Sequence, residues 1–269
     1  MRASLLVLAT ALVAAGCGSA ELEDELAVQS RGGGSPPTSL EGGGEPVAGV
    51  GTARKCEAAR RVQLGDRRVA YAARARGGLV ARRQPGGAPV QAFGHENVNG
   101  VRTVFGVLGA VRDERCRPLW YRVQLPVRPN GTTGYVRAAD VELFRVRTRI
   151  EVDLSERRVD FLRGGRRVLR VSAAIGRSGT PTPTGRYYVN QRLLANDPSG
   201  PYGPGGIGIS AFSPVLTGWT QGGPIAIHGT NDPGSIGEAA SYGCLRIENR
   251  HAERMLRANP EGTPVVIRA

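Results

Sequence analysis

Ile225-Ala226-Ile227-His228-Gly229-Thr230, followed after a turn-rich segment by Ser241-Tyr242-Gly243-Cys244-Leu245-Arg246-Ile247-Glu248-Asn249, decides how this sequence reads. Each half joins an apolar strand to small residues that leave backbone open. The neighbouring segments agree. Arg149-Ile150-Glu151-Val152-Asp153-Leu154 alternates polar and apolar residues, as does Arg158-Val159-Asp160-Phe161-Leu162. Alternation is the signature of a half-buried strand. Gly164-Gly165, between the second of these and Val168-Leu169-Arg170-Val171-Ser172, is a hairpin turn signal. Arg186-Tyr187-Tyr188-Val189 and Pro264-Val265-Val266-Ile267 are further short strands. Only Arg250 to Asn259 reads as a helix, with Met255 and Leu256 apolar and Asn259-Pro260 ending it. A mainly β C-terminal domain with one or two short helices is expected.

The same stretch carries the chemistry. A cysteine nucleophile needs an adjacent base or imidazolium. The chain has three histidines. His228 leaves an apolar strand beside Gly-Thr. His95, after Phe93-Gly94, reads as a surface loop residue, and His251 as a cap or surface group of the helix. A lone histidine at a strand end is more often structural than catalytic, so residue types alone leave both readings of His228 open. No metal site and no cofactor is expected. The histidines are scattered, no His-Glu-x-x-His occurs, and the cysteines lack zinc spacing. The Gly-rich stretches lack the Lys-Ser/Thr that a phosphate-cradling loop requires.

Composition sets the outer bounds. The chain has 269 residues, Lys+Arg 36, Asp+Glu 23 and a net charge of +13. Length over about 150 residues per domain gives one or two domains. Gly 39 and Pro 18 are high and aromatic content is 5%, which favours turn-rich β architecture over helix bundles. Such basicity invites a nucleic-acid reading; the alternative is an exported protein among anionic polymers. The N-terminus decides for the second. Met1-Arg2 precedes an apolar run from Ala3 to Ala15, short of the roughly 20 residues that span a bilayer. It reads as a secretory signal. Val13-Ala14-Ala15-Gly16-Cys17-Gly18-Ser19 resembles a bacterial lipobox, in which Cys17 is acylated and becomes the mature N-terminus; ordinary cleavage near Ala20 is the rival. Residues 18–50 hold Gly32-Gly33-Gly34, Pro36-Pro37 and Gly42-Gly43-Gly44. They read as a disordered tether, reaching about 30 Å as a flexible coil.

The chain has four cysteines, Cys17, Cys56, Cys116 and Cys244. With Cys17 acylated, three remain in an oxidising setting. Cys56 and Cys116 lie in the same half and are placed to pair. That bridge would close a loop of about 60 residues, worth roughly 4 kcal/mol on the chain-entropy model. Cys244 is then left over, either as a reactive thiol or as a buried structural one.

The last 120 or so residues resemble the catalytic domain of the L,D-transpeptidases, the YkuD family. His-Gly-Thr-Asn followed by Ser-x-Gly-Cys-hydrophobic-Arg is its signature. Gly176-Arg177-Ser178-Gly179-Thr180-Pro181-Thr182-Pro183-Thr184-Gly185 and Gly200-Pro201-Tyr202-Gly203-Pro204 match further stretches. Tyr242 stands where many members carry His. The resemblance implies a β-rich fold, Cys244 as nucleophile and His228 as its base. It implies that the Gly229 carbonyl orients the imidazole, and offers the backbone N–H groups of Tyr242, Gly243 and Cys244 as oxyanion-hole donors. Arg246 would bind a substrate carboxylate or brace the loop, with a structural ion pair as the alternative. Ser241 and Asn249 would fix the loop by hydrogen bonds.

Residues 51–145 also read as short strands with frequent Gly. Trp120 to Pro126, the turn dipeptide Asn130-Gly131, then Gly134-Tyr135-Val136 and Ala139-Asp140-Val141 resemble a bacterial SH3-like β-barrel. The expected organisation is a lipoprotein signal at 1–17, a linker at 18–50, this accessory domain at 51–145 and the catalytic domain at 146–269. The implied activity is cross-linking of peptidoglycan stem peptides between third residues through a cysteine thioester. An L,D-carboxypeptidase using the same thioester and a non-catalytic wall-binding lipoprotein are the alternatives. A monomer anchored to the membrane by its N-terminal lipid, with no nucleic-acid partner, is expected.

Overall fold

A computed structural model describes residues 45–46 and 61–269. The expected signal segment, Cys17, most of the expected tether and Cys56 lie outside the described residues. Cys116 is disulfide-bonded, and Cys244 is a free thiol.

The described chain is mainly β, in two large sheets. Residues 61–63, 70–75, 104–112, 118–124, 133–137, 79–82 and 89–93, with 141–146 and 45–46, pair antiparallel in the first. Its core gathers Ala73, Ala75, Ala81, Phe105, Val123 and Val136. Small alanines on successive strands let the layers approach closely around Phe105. The Asn130-Gly131 dipeptide sits in a turn, closed by the Thr132 N–H donating to Pro129 O at 3.2 Å, with Gly131 at φ +85. The chain leaves this sheet at Val146 and enters the second at Thr148.

The second sheet has the order 166–172, 158–163, 148–153, 264–268, 185–194, 205–212, 224–228, 245–246. The alternation at 149–154 is realised: Ile150 and Val152 are fully buried, while Arg149 and Glu151 pair with each other at 2.8 Å. Gly164 and Gly165 take φ +57 and +81, the turn that their lack of Cβ allows. Two joins are parallel, Ile150–Asp153 on Val265–Arg268 and Ile227–His228 on Leu245–Arg246. A parallel join needs a crossover of a dozen or more residues. Residues 229–244 supply the second one, so the turn-rich segment inside the signature is the link that brings its halves side by side.

The expected helix runs over Asn249–Ala258 and buries Ala252, Met255 and Leu256. Its C-terminal carbonyls are satisfied from inside the protein. Arg192 donates to Leu256 O at 2.9 Å and to both carboxylate oxygens of Glu261 at 2.9 and 3.1 Å. Both side chains are buried, at 3% and 8% exposure. Next to Glu261, Gly262 lies at φ +84, and a Cβ there would stand 2.1 Å from that of Ala72. The two sheets belong to one compact unit, Ser35–Ala269, and meet here and along Gln191, whose Oε1 accepts from Asn97 and Asn99 at 2.8 and 2.9 Å. A buried charge stripped of its partner is expensive. Glu261→Ala is therefore expected to cost about 3–5 kcal/mol in chemical unfolding; a loss below about 1 kcal/mol would contradict the structural weight given to this pair.

Candidate active site

Strand register places the two reactive side chains. Ile227 faces Leu245 and His228 faces Arg246. Ile225, Ile227, Leu245 and Ile247 are all buried in the second core. Side chains alternate along a strand, so Ala226, His228, Cys244 and Arg246 share the opposite face. Cys244 is level with Ala226, one step diagonally from His228.

The imidazole is fixed on two sides. His228 Nδ1 lies 2.6 Å from Gly229 O. A carbonyl only accepts, so Nδ1 carries the proton and Nε2 keeps a free lone pair. The Tyr202 ring lies against His228 with centroids 4.9 Å apart. Asn249, the first residue of the helix, accepts from the Thr230 N–H at 2.7 Å. Its Oδ1 fills the space that a Cβ on either Gly203 or Gly229 would need. The His-Gly-Thr turn is thereby wedged open from behind.

The nucleophile turn is fixed equally tightly. Ser241 Oγ donates to Cys244 O at 2.5 Å and accepts from the Gly243 N–H at 3.1 Å. Thr180 Oγ1 donates to Ser241 O at 3.1 Å, and Thr182 Oγ1 to Gly243 O at 2.9 Å. Gly243 adopts φ +114 and packs so that a Cβ would stand 3.0 Å from Ile225 Cδ1; only glycine meets both demands without strain. Of the three N–H groups expected to face an oxyanion, that of Gly243 is therefore occupied by Ser241. Those of Tyr242 and Cys244 have no hydrogen-bond acceptor among the described residues.

Burial dominates the electrostatics. It pushes the His228 imidazole down to about 4; the Gly229 hydrogen bond opposes this and the Arg246 charge adds to it. Burial also pushes the half-buried Cys244 thiol up, against the Ala226 backbone and the Arg246 charge. The thiol lies 4.0 Å from Pro224 O. At neutral pH the site therefore holds a neutral thiol and a neutral imidazole with Nε2 free. That arrangement suits a proton transferred during attack rather than a standing ion pair. Arg246 holds its backbone against Ala174 and forms no ion pair among the described residues.

Three side chains at the site carry no sequence expectation. Arg177 stacks on the Tyr242 ring at 4.1 Å, Trp219 lies on the same ring with centroids 5.4 Å apart, and Tyr202 covers His228. Arg177 and Tyr202 lie within stretches matched to the family, yet pattern alone gives neither a role. His95 and His251 stay apart from the site, one near Glu96 and one in the helix. No group of His, Cys, Asp and Glu among the described residues could hold a metal. No described helix is long and apolar enough to cross a membrane.

Alkylation of Cys244 by iodoacetamide is expected to accelerate with pH beyond the ordinary thiol range, because burial disfavours the thiolate. A rate already on its plateau below pH 6 would reveal a preformed ion pair and contradict this site.

Residues 147–267 match the family model of the L,D-transpeptidase catalytic domain, YkuD. The YkuD protein of Bacillus subtilis (strain 168), named a candidate L,D-transpeptidase, is 36% identical over 94 residues, 35% of this chain and 49% of that protein. Its namesake in Bacillus licheniformis is 34% identical over 119 residues, 44% of this chain and 64% of that protein. The chain thus spans between about half and two thirds of the length of these relatives. The solved structure of an L,D-transpeptidase from Mycobacterium tuberculosis H37Rv aligns at a TM-score of 0.39 and 18% identity, over 65% of this chain and 75% of that one.

Proposed function

We propose that the chain is a peptidoglycan L,D-transpeptidase with Cys244 as nucleophile and His228 as general acid and base. The observation that carries the reading is the Gly229 carbonyl on Nδ1, which leaves Nε2 as a proton acceptor on the sheet face that His228 shares with the free Cys244 thiol. Cys244 Sγ attacks the carbonyl carbon of the third residue of a tetrapeptide stem, and Nε2 takes the thiol proton. The N–H groups of Tyr242 and Cys244 receive the oxyanion. Collapse breaks the amide bond; the terminal D-Ala leaves with the proton from His228, and a thioester remains. The side-chain amine of a second stem then attacks the thioester, His228 removes its proton, and the thiolate leaves and is reprotonated. The product is a cross-link between third residues. Water in place of the amine would release a tripeptide, the carboxypeptidase reading. Arg246 would pair with a stem carboxylate.

In the same proposal, the signal segment and Cys17 carry the protein to the outer face of the membrane. Residues 51–145 serve there as an SH3-like accessory module, and the protein acts as a monomer on the wall. The basic character of the chain supports residence among anionic polymers.

Incubation with a tetrapeptide muropeptide, read by mass, is expected to give cross-linked dimer. Cys244→Ala is expected to lower turnover at least about 10³-fold while keeping the fold. Turnover retained in that variant would sink the mechanism, and tripeptide as the sole product would replace transfer by hydrolysis. A carbapenem is expected to add its full mass at Cys244; an unmodified protein would count against the acyl-enzyme.

A further inference from the structure

The segment 213–223 links the strand Gly205–Phe212 to the strand Pro224–His228, and carries Trp219 against Tyr242. Its base is closed by the Ser213 N–H donating to Gly223 O at 2.8 Å. Within the segment, Ser213 Oγ accepts from the Val215 and Leu216 N–H groups at 3.4 and 3.1 Å, and the Gly222 N–H donates to Trp219 O at 2.8 Å. Its last turn is conformationally costly: Gln221 lies at φ +56, followed by Gly222 and Gly223 at +79 and +66. A non-glycine residue in the left-handed region persists where surroundings over-determine it.

The first sheet supplies the rest of those surroundings. Arg128 Nη2 donates to Ser213 O at 2.7 Å and to Gly222 O at 2.6 Å, so one guanidinium group clamps both ends of the segment. The same guanidinium lies over the Phe212 ring, 5.4 Å from its centroid. Asn130 donates to Phe212 O at 2.8 Å and accepts from the Phe212 N–H at 2.9 Å. Gln221 donates to Asn99 Oδ1 at 2.9 Å. Arg128 and Asn130 belong to the turn between the strands Pro118–Gln124 and Thr133–Arg137. Asn99 lies in a second loop of the same sheet.

We infer that Arg128, Asn130 and Asn99 are positioning residues for the active site, and that the first sheet acts on the reaction by holding the Trp219 segment against Tyr242. None of the three reaches Cys244 or His228, so the effect is on the wall that a stem peptide would lie along. The functional half of the inference rests on the transpeptidase reading; the structural half does not. Both bonds leave the same Nη2 while the guanidinium plane lies over Phe212, so lysine would keep donors for the carbonyls but lose the stacking that holds the group in place.

The test uses the full chain with Trp120→Phe, which leaves Trp219 as the only tryptophan of the two. Acrylamide quenching of Trp219, iodoacetamide alkylation of Cys244, and kcat and KM for a tetrapeptide stem are measured in this parent and in Arg128→Ala, Arg128→Lys and Asn99→Ala. Arg128→Ala is expected to raise the quenching constant about twofold as the segment loosens. It is expected to lower kcat/KM about tenfold, mainly through KM, because a displaced wall misaligns the substrate. Alkylation should be unchanged, because the nucleophile turn is held by Ser241, Thr180 and Thr182. Arg128→Lys should fall between the parent and the alanine variant, and Asn99→Ala should give a smaller change of the same sign. Quenching equal to the parent in Arg128→Ala would overturn the inference. If that variant fails to fold, equal quenching in both Asn99→Ala and Arg128→Lys would overturn it. A parent without turnover would overturn the transpeptidase reading while quenching still decides the brace. Quenching that rises with kcat/KM unchanged would overturn the functional half.

Discussion

The parallel pairing of Ile227–His228 with Leu245–Arg246 is the constraint on which the site depends. It buries Ile227 and Leu245 in the core and so turns His228 and Cys244 to the other face. Because the join is parallel, the two halves of the signature cannot be linked by a tight turn, and residues 229–244 must travel back across the sheet end. That path lets Gly229 curl under the imidazole and Ser241 under the cysteine. The chemistry follows from a backbone geometry rather than from a third charged side chain. A carbonyl fixes the tautomer without adding a full negative charge, so its hydrogen bond offsets only part of the burial that keeps the imidazole neutral.

The rest of the second sheet reads as support for that pairing. Thr180 and Thr182 hold the nucleophile turn from one side. Asn249 holds the histidine turn from the other, and it does so from the first residue of the helix. The helix is in turn held at its far end by Arg192 and Glu261. Stability and placement are thus continuous from the core to the reacting atoms: loosening the helix loosens Asn249, which loosens the turn carrying the imidazole partner. The first sheet joins this chain of support through the segment that bears Trp219.

Much of this was legible in the sequence. Alternation at 149–154 and 158–162 marks strands because one face of each is buried. Gly164-Gly165 marks a turn because both residues need positive φ. The helix is offset by one residue from the expected 250–259, since Asn249 already turns into it to meet Thr230. The odd cysteine and the one histidine leaving an apolar strand stand on the same face. Other features were not legible. Alternation has no sign for parallel against antiparallel, so the register that faces His228 with Arg246 was invisible. The Gly243 N–H looked free because no pattern shows that Ser241, two residues earlier, folds back to accept it. Arg128 is one of 36 basic residues, and only the fold distinguishes a guanidinium that clamps two carbonyls from one that lies in solvent.

The state of the His228 imidazole tests the central claim most directly. The chain has three histidines, and ¹⁵N-histidine labelling with NMR, assigned by His228→Gln, would read its nitrogens over a pH series. The account predicts a neutral ring with the proton on Nδ1, unchanged from pH 8 through neutrality and titrating only near 4. A proton on Nε2, or an imidazolium at pH 7, would contradict it.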